Sequence, residues 1–149
     1  MQEIIVTPWP YIQEDFDITK HKFGIKINFI KDSFRRNIIF RDIEQAYALW
    51  QIGFNKPAVI LAGSVIEELL RLYLEHKKIK PKDDTFSGYI KACEDNGLLK
   101  SAIHNLSSAL KYFRNFVHIG KEKTKKYSIS KPTATAAVAS IFTIANDFE

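Results

Sequence analysis

The apolar positions of this chain fall into two kinds of spacing. Over residues 23–31, Phe-Gly-Ile-Lys-Ile-Asn-Phe-Ile-Lys alternates apolar and polar side chains with the period of a half-buried strand. From Asn37 or Asp42 onward the period becomes that of a helix. Ile39, Ile43, Ala46, Tyr47, Leu49 and Trp50 form one stripe, which Gly53 or Asn55 interrupts. Pro57 suits the first turn of the next helix, where its missing N–H would be unpaired anyway. That helix extends to about Lys78, and its first half, Ala58-Val-Ile-Leu-Ala-Gly-Ser-Val-Ile, is apolar or small on every face. Such a helix belongs at the centre of a bundle, and Gly63 and Ser64 would let a neighbour approach closely.

The pattern continues past a polar linker at residues 79–84. Asp84 or Thr85 is placed to cap a short amphipathic helix carrying Phe86, Tyr89, Ile90 and Cys93, and Asn96-Gly97 stops it. A longer helix is predicted from about Leu98 to His118 or Ile119, with Gly120 as its stop. Ser130-Lys131-Pro132 opens the last one, whose flank holds Ala136, Ala137, Val138, Ile141, Phe142, Ala145 and Phe148. Residues 1–20 carry Pro8, Pro10, Trp9, Tyr11 and Phe16 without a helical period. They read as an irregular arm or short strand, with Ile4-Ile5-Val6 available to pair with residues 23–31. The expectation is an all-α bundle of four or five helices over residues 39–149, preceded by a short irregular or β N-terminal arm over residues 1–38.

Composition narrows the chemistry. A chain of 149 residues with 46% hydrophobic and 26% charged side chains has the size and apolar content of one globular domain. Cys93 is the single cysteine, so an internal disulfide framework and a multi-cysteine zinc site are both excluded, and its place on an apolar stripe makes it a core thiol. His21, His76, His104 and His118 lack the spacing of metal ligands, so no metal and no cofactor is expected. The first residues have neither a basic region nor a long apolar core. The uncharged stretch over residues 132–146 is too short and too weakly apolar to span a bilayer. A soluble cytoplasmic protein without a membrane partner is the expectation.

The net charge of +5 is unevenly placed. Between residues 111 and 131 stand Lys111, Arg114, Lys121, Lys123, Lys125, Lys126 and Lys131 against Glu122 alone, more than the whole excess. Such a run is either a solvated loop or a surface that attracts an anionic partner. Directly before it lies Lys111-Tyr-Phe-Arg-Asn-Phe-Val-His-Ile-Gly120. On a helix, Arg114 and His118 sit about 40° apart in arc, and Asn115 lies close beside them. An always-charged phosphate binder, an amide and a side chain that titrates near neutrality would therefore project together. That trio suits phosphodiester chemistry. It equally suits a helix end, where Arg and His cap carbonyls and complement the dipole. Glu67, four residues before Arg71 on the central helix, reads as a buried or rim carboxylate paired with that arginine, a structural role favoured over a direct catalytic one.

Two of these stretches carry a resemblance to a known family. Ala58-Val-Ile-Leu-Ala-Gly-Ser-Val-Ile-Glu-Glu-Leu-Leu70 is similar to the second core helix, with its embedded acid, of the HEPN superfamily. Tyr112-Phe-Arg-Asn-Phe-Val-His118 resembles that family's Arg-polar-…-His signature. The likeness is to prokaryotic members of the DUF4145 type and covers roughly residues 40–148. It implies a helical bundle that forms a homodimer with the signature helices facing one another. Active members cleave RNA without a metal at the composite site, leaving 2′,3′-cyclic phosphate and 5′-hydroxyl ends, and act as toxins or in anti-phage defence. Carried onto this chain, His118 would transfer protons, Arg114 would stabilise charge on the phosphate, and Asn115 would hold the phosphate or orient the other two. Glu67 would be a positioning residue, and Lys111, Lys121, Lys123, Lys125 and Lys126 would bind the RNA backbone. An antitoxin or another defence protein is the further partner implied.

Two functions therefore compete at this level. One is a metal-independent endoribonuclease; the other is a non-catalytic helical module that binds a protein partner or nucleic acid.

Overall fold

A computed structural model describes residues 8–104 and 129–149. Its described helices are α1 (Trp9–Phe16), α2 (Lys20–Lys26), α3 (Ser33–Gln51), α4 (Asn55–His76), α5 (Phe86–Asp95) and α6 (Lys131–Asn146), and a further helix begins at residue 100. The fold is all-α, and no strand occurs among the described residues. No described helix is long and apolar enough to cross a membrane.

The caps follow from local sequence. Asp32 accepts from the amides of Phe34 and Arg35 and starts α3, earlier than the apolar stripe alone indicated. Thr85 accepts from Gly88 at the start of α5, and Ser130 accepts from Thr133 at the start of α6, the latter with Pro132 in the first turn. Gly97, with φ of 65°, closes α5 in the left-handed region where a side chain would be strained.

α4 is the centre. Ala58, Val59, Ala62, Val65, Ile66, Leu69, Leu70, Leu72, Tyr73 and Leu74 are all buried, so the helix packs on more than one side. α3, α5 and α6 all pack against it. α6 buries Ala134, Ala137, Val138, Ile141, Phe142, Ile144 and Ala145, and its buried alanines allow close helix approach. Ala136, expected on the same flank, faces solvent.

The N-terminal residues differ from the reading of the alternation. The strand expected over residues 23–31 is helix α2 followed by a turn. Phe23, Ile27 and Ile30 are buried, at spacings of four and three, whereas Ile25 is 56% exposed. Two tertiary contacts favour the helical choice. Arg36 of α3 donates to the carbonyls of Gly24 and Ile27, satisfying the end of α2. Lys26 donates to the carbonyls of Asn146 and Phe148 at the far end of the chain. The start carries a local signal, since the Thr19 hydroxyl accepts from the Lys22 amide. The proposed pairing segment Ile4-Ile5-Val6 lies outside the described residues.

α1 and α2 share the core of the rest. Trp9, Ile12, Ile18, Phe23, Ile27 and Ile30 belong to one apolar cluster with α3, α4, α5 and α6. Trp9 packs on Phe23, Phe40 and Phe142 with ring centroids 5.9–6.3 Å apart, and its indole N–H donates to Glu44 at 3.0 Å. Tyr47 donates to Asp15 of α1. The boundary drawn between residues 38 and 39 falls inside α3.

Truncating Trp9 to alanine should cost about 3–5 kcal/mol, the usual range for a buried aromatic. Chemical denaturation of the full chain measures it. A loss below about 1 kcal/mol would mean that α1 is not part of the cooperative core.

Candidate functional site

The residues singled out by the sequence divide sharply. Arg114, Asn115 and His118, together with Lys111, Lys121, Lys123, Lys125 and Lys126, lie outside the described residues. Glu67 lies within them, half-buried on α4. The helix predicted from Leu98 to His118 is described over its first turn, and the way that turn is held is instructive. Leu99 has φ of 51° and offers no capping oxygen. The amide of Ala102 donates instead to Asp147 Oδ2, 3.0 Å away across 45 residues of sequence. An acidic side chain from the end of α6 thus satisfies an orphan donor and complements the positive end of the helix dipole. Leu99, Ala102 and Ile103 are buried, and Lys100, Ser101 and His104 face outward.

The charges of α4 are arranged differently from the sequence reading. Arg71 was expected to pair with Glu67, at i−4. Its guanidinium instead makes two bonds to Glu68, at 2.6 and 3.0 Å, and reaches Glu75 at 3.6 Å. Arg35 of α3 approaches the same Glu68 carboxylate at 3.5 Å. Both i−3 and i−4 partners are in reach on a helix. Glu68 is the carboxylate that a second cation, from the neighbouring helix, also approaches. Arg71 is held more firmly in its charged form, first by its hydrogen bonds to Glu68. Arg71 and Glu68 are about one-third exposed and Glu75 is 72% exposed, so each pair is worth at most about 1 kcal/mol. Glu67 acts electrostatically on Tyr89, whose hydroxyl pKa is raised by burial first, then by Asp84 and Glu67.

Two surface clefts border α5. Arg71, Lys78, Lys80, Glu75, Asp84 and Tyr89 line one of them. The other lies between the 80–83 loop and α5, where Lys80, Lys82 and Lys91 face Asp83, Glu94 and Asp95. The second cleft has three cations against three acids, and the first has three cations against two acids, an excess of one. The loop sits hard against α5, because a Cβ on Gly88 would stand 2.1 Å from the Asp83 carbonyl oxygen. Glycine at this position is what allows that approach.

One cation of the basic run has a structural use. Lys131 lies over the Trp50 ring at 4.3 Å and donates to the Trp50 carbonyl, while the indole N–H donates to Thr135 at 2.7 Å. The sequence counted Lys131 with a field for anions; here it fastens α6 to the end of α3. Conversely, the lysines at 77, 78, 80 and 82 form a second basic run that the reading passed over, although charge spacing alone displays it.

Cys93 is buried as expected, and burial pushes its thiol up to about 12, with Glu94 contributing. Such a thiol is no nucleophile. His104 is exposed, and His76 stacks on Phe29 at 5.1 Å. Among the described residues, no group of three or more His, Cys, Asp or Glu is arranged to hold a metal ion.

No protein-family model, curated protein or solved structure matches this chain. The HEPN resemblance therefore rests on its two sequence stretches.

Two outcomes check this arrangement. Asp147→Ala should cost about 1 kcal/mol through loss of the cap, and Asp147→Asn, which keeps an acceptor oxygen, should cost less; equilibrium denaturation compares them. For Cys93, the unfolded thiol ionises near its ordinary value of 9.0, whereas the folded one stays protonated. The unfolded state then binds fewer protons, so stability falls as pH rises from about 9 to 12. Cys93→Ala should flatten the first part of that decline in urea titrations made at successive pH values.

Proposed function

We propose that this protein is a metal-independent endoribonuclease of the HEPN type, acting in the cytoplasm as a toxin or anti-phage effector. The observation that carries the reading is the Arg114-Asn115-x-x-His118 spacing, set immediately before the lysine-rich stretch. The all-α fold is of the class the reading requires. In this reading the site is composite, with two copies each contributing an Arg-Asn-His set. His118 takes the proton from the ribose 2′-hydroxyl or gives one to the leaving 5′-oxygen. Arg114 stabilises the charge that grows on the phosphate, and Asn115 holds the phosphate or orients its neighbours. The 2′-oxygen attacks phosphorus as the bond to the 5′-oxygen breaks, giving a 2′,3′-cyclic phosphate and a 5′-hydroxyl end. Lys111, Lys121, Lys123, Lys125 and Lys126 supply backbone attraction, which weakens as salt rises. Glu67 is the positioning carboxylate, and an antitoxin or other defence protein is the partner that would restrain the activity.

The test is RNA cleavage by the purified protein in excess EDTA, with Arg114→Ala and His118→Ala in parallel. The parent should cleave, and each variant should lose at least about a hundredfold, as expected for removal of an acid–base or charge-stabilising group. Variants that cleave like the parent would refute the assigned roles. Absence of cleavage by a folded parent would leave the same residues in a non-catalytic binding module.

A further inference from the structure

We infer that the cleft between the end of α4 and the start of α5 binds a phosphate monoester, held by Tyr89, Arg71, Lys78 and Lys80. The cleft has a volume of about 350 Å³, and Leu74, Ile79 and Pro81 form its apolar part. Tyr89 lines it although only 4% of that residue is exposed. Asp84 and Arg71, which act electrostatically on its hydroxyl, line the same cleft, so the phenol end of the side chain lies on the cleft side. Among the described residues, the side-chain hydrogen bonds at α5 are made by Thr85 and Asn96, and none engages the Tyr89 hydroxyl. A buried hydroxyl without a partner is costly, and here it is a donor facing a cleft. Arg71 offers a second unused donor. Glu68 takes its Nε and Nη2, but Nη1 stays 3.6 Å from Glu75, longer than a hydrogen bond.

The backbone fixes the rim of the cleft. Lys78 has φ of 59° just past the cap of α4, where glycine is the usual residue. Its amide donates to the Glu75 carbonyl at 3.1 Å, and that of Ile79 to the Leu74 carbonyl at 2.9 Å, so the chain turns back at this point. A lysine in this strained place brings a cation to the rim, and Lys80 adds a second. Glu75 and Asp84, both exposed, stand in the same cleft. With Arg35 and Glu68 beside them, Arg35, Arg71, Lys78 and Lys80 face Glu68, Glu75 and Asp84, an excess of one positive charge. Net charge thus favours an anion only slightly; the donors decide its kind. A phenol, a guanidinium and two ammonium groups suit the three terminal oxygens of a phosphate monoester better than the two of a carboxylate. The apolar part suits the organic group that the ester carries. A free small molecule and the phosphorylated end of an RNA present this same group. None of these residues is among those assigned to cleavage, so the site is independent of the ribonuclease reading.

Isothermal titration of the full chain at low salt, with phenyl phosphate, inorganic phosphate and benzoate, tests the site. Phenyl phosphate should bind, and more tightly than either of the other two. Tyr89→Phe keeps the ring and removes one donor, so it should weaken phenyl phosphate about tenfold, the usual worth of a hydrogen bond to a charged group. Lys78→Gly should weaken it as well. Thermal unfolding without ligand separates binding from folding. The midpoint should be unchanged or higher in both variants, since one loses an unpartnered hydroxyl and the other relieves a left-handed lysine. The proposal is overturned by a parent that binds no phosphate compound, by benzoate held as tightly as phenyl phosphate, or by undiminished affinity in Tyr89→Phe. A lower midpoint in Tyr89→Phe also overturns it, because the hydroxyl would then already be bonded within the protein. In a parent that binds phenyl phosphate, a 5′-phosphorylated ribo-oligonucleotide compared with its 5′-hydroxyl form assigns the ester to an RNA end or to a free molecule.

Discussion

The structure depends on the burial of α4. A helix that hides ten side chains cannot rest in a bundle that offers it a single neighbour. α3 and α6 cover most of it, and α5 closes the remainder. Everything else is arranged so that these partners can close on it. The stripe of small residues on α6 allows that helix to come near, and the aromatic cluster of Trp9, Phe16, Phe23, Phe40, Tyr47, Trp50 and Phe142 fills the space where α1 and α2 meet α3 and α6. Each large apolar side chain so buried contributes about 1.5–3 kcal/mol.

Several long-range polar contacts in this fold act at helix ends. Among the described residues none that is polar or charged is buried. Instead Lys26 reaches the last carbonyls of α6, Arg36 reaches those of α2, Asp147 reaches the first turn of the helix at residue 100, and Lys131 reaches the end of α3. Each joins groups far apart in sequence where a helix leaves backbone groups unpaired. None of these charged residues is buried, so they tie elements together without the cost of an isolated buried ion. A charge count along the sequence cannot distinguish such a cation from one free to attract a phosphate, and Lys131 is the example.

The helical period over residues 39–78 was legible because the two long helices repeat it for several turns. The start of α5 at Asp84 or Thr85, the start of α6 at Ser130-Lys131-Pro132 and the stop at Asn96-Gly97 were legible because their chemistry is local, and the structure places the first cap on Thr85. The alternation over residues 23–31 misled, because a segment of seven to nine residues samples too few turns to separate a period of 2 from one of 3.6. The Thr19 cap marked the start of α2, but the carbonyls at its other end are satisfied by Arg36, which no local pattern reveals. The candidate site was legible only as a motif. Glu67 sits half-buried on α4, between the buried and rim placements its neighbours left open, and the arginine assigned to it is bound to Glu68.

What the sequence determined by itself is therefore the all-α class, the central rank of α4, the inert setting of Cys93 and the short-range order of Arg114, Asn115 and His118. Those follow from periodicity, capping chemistry and composition, which act over a few residues. Tertiary structure alone decided that α1 and α2 are helices within the common core, that Glu68 and not Glu67 takes Arg71, and that Asp147 holds the start of the helix at residue 100. These choices are made by contacts between elements, where the free energy of burying an aromatic or pairing an orphan backbone group exceeds the small local preference for one backbone conformation over another.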